Sequence, residues 1–215
     1  VLLMLNIANI LNNGIKNIAI GFINSYMNSV HEEKMAEILS RFDRSLNISL
    51  SSKVLPRIRP QGRFITTILN ASLRPLTETY INRLREELGK RGFRGNLWMI
   101  QSNGGIASPE KVIRGSESLL FSGPAAGVSG AASLCSYLGI NNSITMDMGG
   151  TSCDISLVEG ASPVVSREIE VDWDMPVPIP MVDIDAIGAG GGSLAWVDSQ
   201  GILKVGPESA GADPG

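Results

Sequence analysis

The chain has 215 residues, a formal net charge of −3, 43% hydrophobic residues and 18% charged residues. This length can bury the core of one large domain or two small ones, and the composition is typical of a globular protein. The acidic balance and the absence of a Lys/Arg block argue against nucleic acid and an anionic membrane as partners. The two cysteines, Cys135 and Cys153, form no CxxC pattern, which argues against a zinc site or a disulfide scaffold and favours a reducing, cytoplasmic compartment.

The N-terminal part of the chain predicts alternating helices and strands. Asparagines interrupt the first apolar repeat, so we interpret it as an amphipathic helix and not as a membrane span or a signal peptide. A longer helical pattern runs from about Arg63 to Lys90, and Pro75 is expected to kink or split that helix. The shorter predicted elements are a helix over 2–11 that ends near Gly14, a strand over 17–24 covered on both faces, a helix over 31–42 and a half-buried strand over 47–54.

The rest of the chain is richer in glycine and turns to β-structure. A helix is predicted over 122–139, with Pro124 at its first position and Gly139 at its end. The predicted strands and turns are a strand over 96–100, strands over 143–146 and 153–158, an extended segment over 176–180 and a hairpin across 198–201. The composition shift near residue 92 predicts a helix and strand region over 1–92 and a glycine-rich lobe over 93–215; the alternative is one continuous domain.

The stretch TMDMGGTSCDISLVEG (Thr145–Gly160) places two glycines between apolar runs, which predicts strand, turn and strand. A P-loop or a dinucleotide-binding turn would run into a helix, and this turn contains no lysine. Successive backbone N–H groups at Gly149 and Gly150, with the hydroxyls of Thr151 and Ser152, are suited to phosphate oxygens. The alternative is a tight hairpin whose polar side chains hydrogen-bond their own backbone.

Two carboxylates flank this turn, at Asp147 and Asp154. A carboxylate at Asp147 would repel phosphate unless a cation lay between them. Asp147 therefore predicts a Mg²⁺ ion, held partly through water.

Five segments carry a family resemblance. They are RFITTILNASLRP (Arg63–Pro75), MIQSNGGIASPE (Met99–Glu110), LLFSGPAAGVSGA (Leu119–Ala131), MDMGGTSCDISLVEG (Met146–Gly160) and the run from Ile187 to Gly215. In this order they resemble segments of the hydantoinase A/5-oxoprolinase family, which includes β-type subunits of acetone and acetophenone carboxylases. The turn itself resembles a phosphate hairpin of the actin/Hsp70/sugar-kinase ATPases. The resemblance implies an α/β fold of actin-like (ribonuclease H-like) architecture, with a mixed sheet and flanking helices, in a fragment of a larger two-lobed protein.

The resemblance also implies a reaction, in which ATP phosphorylates the carbonyl oxygen of a cyclic amide of the hydantoin or 5-oxoproline type and water opens the ring. Asp147 would organise Mg²⁺, and Asp154 would hold the turn or orient a water or the acceptor. The alternatives are a subunit of an ATP-dependent ketone carboxylase and a nucleotide-binding or assembly module without turnover. The implied partners are the rest of a longer polypeptide, whose N-terminal domain carries a first Gly-Gly-Thr hairpin in the family, and a subunit of the hydantoinase B type.

Three further glycine-containing segments are candidate contacts for nucleotide or substrate. Asn103, Gly104 and Gly105 form either such a contact or a simple turn after a strand. Ser122 and Gly123 begin a helix whose free N–H groups suit a phosphate, and we expect packing for the body of that helix. The run that includes Gly190, Gly191 and Gly192 predicts a close backbone approach to a ligand or to another segment.

Several residues depart from the family pattern. Cys153 stands where threonine is usual, Asp185 stands where many relatives have histidine, and RPQGR (Arg59–Arg63) replaces a more acidic and aromatic run. These differences leave the fold assignment intact. We interpret Trp173 and Trp196 as packing residues.

Overall fold

The computed structural model describes residues 13–170 and 175–212. The helix predicted over 2–11 and the role predicted for Trp173 lie outside these residues. The chain forms two compact units that interleave along the sequence. The first unit draws its described residues from Val1–Met99, Ile106–Leu120 and Arg167–Ile179, and the second from Ile100–Gly105, Phe121–Ser166 and Pro180–Gly215. The division near residue 92 stays a prediction of domain organisation.

In the first unit, helices pack on a short parallel strand pair. The strands β1 (Asn17–Ile20) and β2 (Asn47–Leu50) pair in parallel, and α1 (Val30–Phe42) contacts both. These elements confirm the strand and helix patterns of this region, although β1 is shorter than predicted and its alternate residues are exposed, so it is not covered on both faces. Two buried apolar clusters hold the unit, one around Ile20 and Leu39 and one around Ile81, Ala107 and Val112.

The strand predicted over 47–54 is wrong in its second half, because Ser51–Val54 forms a short helix, α2. The Glu32 carboxylate on α1 accepts hydrogen bonds from the Ser51 hydroxyl at 2.6 Å and from the Ser52 N–H at 2.9 Å. Burial would raise the pKa of Glu32, but hydrogen bonds from Ser25, Ser51 and Ser52 outweigh burial and lower that pKa to about 2. An ionised carboxylate at the start of α2 satisfies N–H groups that a first helical turn leaves unpaired.

The long helix α3 runs from Pro60 to Lys90 without interruption. It begins three residues before the predicted start, because proline suits the first turn of a helix. Pro75 lies inside it and does not split it. The buried residues on both sides of Pro75, among them Asn70, Ala71 and Ile81, anchor the helix against its neighbours, and such packing supplies most of a helix's stability in proteins.

The other elements of the first unit are short, and several of them pack along α3. The strand predicted over 96–100 is confirmed only at its end. The remaining elements are β3 (Met99–Ile100), β4 (Ile106–Ala107), α4 (Pro109–Arg114), a 3₁₀ turn (Ser116–Leu119), β9 (Ile169–Glu170) and β10 (Pro176–Val177).

Glu117 is a second buried acidic side chain of the first unit, and its surroundings favour the neutral form of its carboxyl group. Glu117 is 7% exposed, and its carboxylate accepts a hydrogen bond from Asn70 Nδ2 at 2.6 Å. Burial raises the pKa of Glu117 above its usual value of 4.5, and the hydrogen bond from Asn70 offsets only part of that rise. The stability that Glu117 contributes is therefore full below about pH 4.5 and is lost as the pH rises through the raised pKa.

Glu117→Gln is expected to raise the melting temperature at about pH 8 and to leave it nearly unchanged at about pH 4. Glutamine keeps an acceptor for Asn70 and carries no charge at either pH. Thermal unfolding across this pH range measures the difference. The exposed Glu78, on α3, is a suitable control when changed to glutamine. An equal shift at both pH values would contradict the assignment of an ionisation cost to Glu117.

The second unit places one helix against a mixed set of short strands. Its sheet has the order β12 (Asp185–Ile187), β6 (Cys153–Glu159), β5 (Ser143–Met148), with β7 (Ser162–Pro163) paired to β6, and all of these pairs are antiparallel. Helix α5 (Ser122–Tyr137) packs on it through Ala125, Val128 and Ala132, which are buried with Val158 and Val182. The strands of this unit are β5 (Ser143–Met148), β6 (Cys153–Glu159), β7 (Ser162–Pro163), β8 (Val165–Ser166), β11 (Met181–Val182), β12 (Asp185–Ile187), β13 (Ser193–Val197) and β14 (Leu203–Ser209).

The C-terminal end of α5 and the last hairpin agree with the predicted signals, whereas the start of α5 does not. Gly139 follows α5 with φ +72°, and the Ile140 N–H donates to the Cys135 carbonyl at 2.8 Å, which satisfies the helix end. Pro124 is the third residue of α5 and not its first. β13 and β14 form the hairpin predicted across 198–201. Trp196, on β13, was predicted to be a packing residue, but it is 48% exposed and is not a core residue of this chain. Among the described residues, no helix is both long and apolar enough to cross a bilayer.

Candidate functional site

The strand–turn–strand prediction for Thr145–Val158 is confirmed. β5 and β6 pair antiparallel, and Met148 opposite Cys153 is the last pair before the turn. The Gly149 N–H donates to the Ser152 carbonyl at 2.9 Å and closes a short loop. No helix begins at Thr151, so this is not a P-loop.

The two predicted acidic residues face each other across this hairpin. Asp147 and Asp154 are direct partners in the strand register, so their side chains lie on the same face of the sheet. Thr145 and its partner Ser156 follow on the same face, two residues from each acid. Asp147 is exposed, and Asp154 is half-buried. The pattern of alternate polar residues could have predicted Thr145 and Ser156 as part of this surface.

A cavity of about 360 Å³ lies between this face and α5. Asp147 and Asp154 line it together with Pro124 and Gly127 from the first two turns of α5. At the opposite end of α5, Cys135 Sγ lies 3.3 Å from the Ser143 hydroxyl at the start of β5. α5 therefore runs antiparallel to β5, and its N-terminal end, which carries a partial positive charge, lies at the end of the sheet where the carboxylates and the turn are found.

The glycines of the turn are required neither by its backbone conformation nor by packing. Neither Gly149 nor Gly150 has a positive φ. A Cβ on Gly150 would meet nothing within 4 Å, and one on Gly149 would meet only the Ser152 carbonyl at 3.8 Å. Among the described residues, the N–H groups of Gly150 and Thr151 make no hydrogen bond. The turn therefore offers two free donors and has open space beside Gly150, which is an arrangement that anions bind.

The segment Gly188–Gly192, named the glycine loop here, lies directly against this turn. The Gly191 N–H donates to the Gly149 carbonyl and the Gly192 N–H to the Gly150 carbonyl, both at 2.9 Å. A Cβ on Gly190 would lie 2.5 Å from the Thr151 nitrogen. Of the two partners predicted for this segment, a ligand or another part of the chain, the described structure contains the second.

The N–H groups of Gly190, Gly191 and Gly192 are used within the chain. In addition to the two bonds to the turn, the Gly190 N–H donates to the Ser193 hydroxyl at 2.9 Å. The role of Gly190, Gly191 and Gly192 in cofactor binding stays a prediction. A cofactor that bound to these N–H groups would have to replace the hydrogen bonds that they make within the chain.

The segment around Asn103 forms a closed turn in the second unit. Asn103 Oδ1 accepts a hydrogen bond from the Gly105 N–H at 2.9 Å, and the Gly104 N–H donates to the Gln101 carbonyl at 2.9 Å. Gly104 has φ +78°, and a Cβ there would lie 2.4 Å from the Ser129 hydroxyl on α5. Turn geometry and packing therefore account for Gly104, and contacts of this segment with nucleotide or substrate stay a prediction.

The remaining residues that the sequence singled out lie at the start of α5 and in β12. Ser122 and Gly123 form the first turn of α5, where a Cβ on Gly123 would meet open space. Asp185 on β12 pairs with Ile155, whereas its neighbour Ala186 pairs with Asp154. Asp185 therefore lies on the face of the sheet opposite the two cavity carboxylates.

The donor set of the cavity suits a hard cation with few protein ligands. No group of three or more His, Cys, Asp or Glu side chains with metal-binding geometry occurs among the described residues. Two facing carboxylates are nevertheless enough for Mg²⁺, which keeps several waters and commonly takes one or two carboxylates together with phosphate oxygens. Asp147 and Asp154 therefore fit the magnesium ion that the sequence predicts.

The sequence profile of a family described as hydantoinase/oxoprolinase matches residues 63–215. The chain belongs to this family. Among its hydantoinase/oxoprolinase relatives, the caprolactamase alpha subunit of Pseudomonas jessenii is 34% identical over 92% of this chain and 28% of its own length. The 5-oxoprolinase of Saccharomyces cerevisiae is 36% identical over 94% of this chain and 15% of its own length.

Carboxylases also occur among the relatives. The acetophenone carboxylase gamma subunit of Aromatoleum aromaticum is 31% identical over 96% of this chain and 29% of its own length. The solved structures include the ATP-dependent caprolactamase of Pseudomonas jessenii, with TM-score 0.80 and 34% identity over 97% of this chain and 30% of that chain. A nucleotide-free acetone carboxylase has TM-score 0.77 and 26% identity over 95% of this chain and 29% of that chain. The mixed α/β fold is thus shared with ATP-dependent enzymes, and this chain spans less than a third of the length of these relatives.

Proposed function

We propose that the second unit carries a phosphate-binding half of the ATP site in an ATP-dependent enzyme that opens a cyclic amide. The observation that carries this proposal is the Gly149–Gly150 turn, where the absence of side chains serves neither backbone conformation nor packing and leaves two N–H donors free. Two facing carboxylates and the N-terminal end of α5 lie beside it. Caprolactamase and 5-oxoprolinase, which the chain resembles, act on cyclic amides, and this supports the substrate class.

The residues of the turn, its two flanking aspartates and the first turn of α5 have different roles in the proposed phosphoryl transfer. The N–H groups of Gly150 and Thr151 bind phosphate oxygens, with the Thr151 and Ser152 hydroxyls as further donors, and the first turn of α5 at Ser122 and Gly123 adds its dipole. Asp147 would hold a magnesium ion directly or through water, and such an ion would neutralise phosphate charge. Asp154 holds the turn or orients a water or the acceptor. Such a site acts mainly by positioning and charge neutralisation and needs no nucleophilic side chain.

In the proposed reaction the amide carbonyl oxygen attacks the terminal phosphorus of ATP, and the bond to the bridging oxygen of ADP breaks. Water then adds to the activated carbon and the carbon–nitrogen bond of the ring breaks, with a proton passing to the leaving nitrogen, which leaves an acyl phosphate. A second water attacks this acyl phosphate, phosphate leaves, and the open chain carries a free carboxylate and a free amine. The actin-like architecture, a cytoplasmic location, the contribution of the rest of a longer polypeptide and a second subunit of the hydantoinase B type belong to the same proposal.

The experiment that tests this proposal uses the full-length protein that carries this chain. It is incubated with ATP, Mg²⁺ and 5-oxoproline, a hydantoin or caprolactam, and both phosphate release and ring-opened product are measured. Ring opening that depends on ATP supports the proposal. Phosphate release that requires a ketone with bicarbonate would favour the second candidate, a carboxylase subunit, which the acetone carboxylase likeness supports. Nucleotide binding without turnover on any substrate would favour a non-catalytic module.

The 215-residue chain by itself is expected to hydrolyse ATP weakly or not at all. Its sequence contains one Gly-Gly-Thr turn, and a single turn contacts only one side of a triphosphate. Phosphate release by the chain and by the full-length protein, at equal concentrations with Mg²⁺, measures the difference. Robust magnesium-dependent turnover by the chain alone would show that the ATP site is more self-contained than proposed.

A further inference from the structure

The contact between the glycine loop and the Gly149–Gly150 turn determines the direction in which the N–H groups of the turn point. A peptide unit is planar and trans, so its C=O and the N–H of the following residue point in opposite directions. The Gly149 carbonyl is held by the Gly191 N–H, and the Gly150 carbonyl is held by the Gly192 N–H. The N–H groups of Gly150 and Thr151 therefore both point away from the glycine loop, side by side.

We infer that the glycine loop is a positioning element, which fixes the N–H groups of Gly150 and Thr151 in the direction that binds the phosphate of a nucleotide. This inference rests on the proposed function and assigns Gly190, Gly191 and Gly192 a role behind the turn and not in contact with phosphate. A free Gly-Gly-Thr turn has many conformations, because glycine restricts its backbone least of all residues. Two hydrogen bonds from the loop select the one conformation in which both donors face the same side.

The glycine loop is itself anchored, so it can serve as a fixed support. The Ala210 N–H at the end of β14 donates to the Gly192 carbonyl at 2.7 Å, and Ser193 at the start of β13 accepts from the Gly190 N–H. The loop is thus held from both strands of the β13–β14 hairpin. A rigid support lowers the cost of ordering the donors when an anion binds.

Gly190 is the position where this support has no spare room. A Cβ on Gly190 would lie 2.5 Å from the Thr151 nitrogen and 2.6 Å from the Gly150 carbonyl carbon, both backbone atoms that cannot rotate away. A Cβ on Gly188, in the same loop, would meet nothing within 4 Å. Neither residue has a positive φ, so alanine is compatible with the backbone at both positions. Gly190→Ala and Gly188→Ala are therefore a matched pair that differs in contact with the turn.

The test measures ATP hydrolysis by the full-length protein and its Gly190→Ala and Gly188→Ala variants. Gly190→Ala is expected to raise the KM for MgATP by about tenfold or more, since displaced donors lose charge-assisted hydrogen bonds to phosphate. The KM for the cyclic amide is expected to stay unchanged, and Gly188→Ala is expected to match the wild type in both. A merely structural role would reduce the active fraction, and so kcat, without moving the KM for MgATP. Equal KM values for MgATP in the two variants would overturn the inference.

Two further measurements test the inference if Gly190→Ala does not fold or if the wild type does not use ATP. If Gly190→Ala fails to fold, Ser193→Ala removes the acceptor of the Gly190 N–H without adding bulk, and it is expected to raise the KM for MgATP in the same direction by a smaller factor. If the wild type neither binds nor hydrolyses ATP, the proposed function fails, and the loop is tested separately by amide hydrogen exchange without nucleotide. Slow exchange at Gly191 and Gly192 supports the positioning contact, and fast exchange at both overturns it.

Discussion

Asp147→Asn in the full-length protein is expected to lower ATP turnover about a hundredfold or more, which corresponds to about 3 kcal/mol of transition-state stabilisation. Asparagine keeps the shape of the side chain and removes the negative charge that would hold Mg²⁺. Asp147 is exposed at the end of β5, so the free energy of unfolding is expected to change by only about 0.5 kcal/mol. Steady-state hydrolysis and thermal unfolding of the same preparation measure both effects.

Asp185→Asn is the matched control for this experiment. Asp185 is also an exposed aspartate of the same sheet, but its register with Ile155 places it on the face opposite Asp147. This control variant is expected to keep near-normal turnover. The plain hairpin interpretation predicts the reverse for Asp147→Asn, namely unchanged turnover with a lower melting temperature, and that outcome would end the metal assignment.

Arg63→Ala is expected to cost about 3 kcal/mol or more of unfolding free energy. Arg63 has no exposed surface, and its guanidinium donates to the carbonyl oxygens of Phe22 at 2.9 Å, Ile23 at 2.7 Å and Arg57. It thereby joins the loop after β1 and the segment before α3 to the first turn of α3. Truncation leaves three carbonyls without this donor and a cavity in place of the side chain.

The planar guanidinium also lies 5.1 Å from the ring centroid of Phe64 and 5.5 Å from that of Tyr26. Arg63→Lys keeps the charge, but a single ammonium cannot reproduce the fork of donors, so a substantial loss is still expected. Arg83→Ala, at an exposed position of the same helix, serves as control and is expected to change stability by no more than about 0.5 kcal/mol. Urea unfolding followed by circular dichroism measures all three variants. A loss for Arg63→Ala as small as that of the control would refute the structural role.

Local patterns predicted the parts of the fold whose contacts lie close in the sequence. The hairpin of β5 and β6 has its whole register within sixteen residues, and its apolar runs and paired glycines were sufficient to identify it. The end of α5 at Gly139 is likewise a local signal, because a left-handed residue closes the helix with bonds to its own last turn. The acids at Asp147 and Asp154 could be placed on one surface for the same reason.

Patterns failed where a distant side chain supplied the hydrogen bonds. Residues 51–54 alternate as a strand does, but the Glu32 carboxylate, 20 residues earlier, binds the Ser52 N–H and supports a helical turn. Arg63 also looks like an ordinary helix residue in the sequence. Its burial depends on carbonyls about 40 residues away.

The sequence by itself determined the family, the mixed α/β class and the turn with its two flanking acids, because these depend on short-range order of residue types. The tertiary structure alone decided which glycines are crowded and which are open. Gly150 has free space and Gly190 has none, although both stand in runs of glycine that look alike in the sequence. That difference arises only because the fold places residues 188–192 against residues 149–151. A backbone contact between two distant segments produces no periodic pattern of residue types in the sequence of either segment.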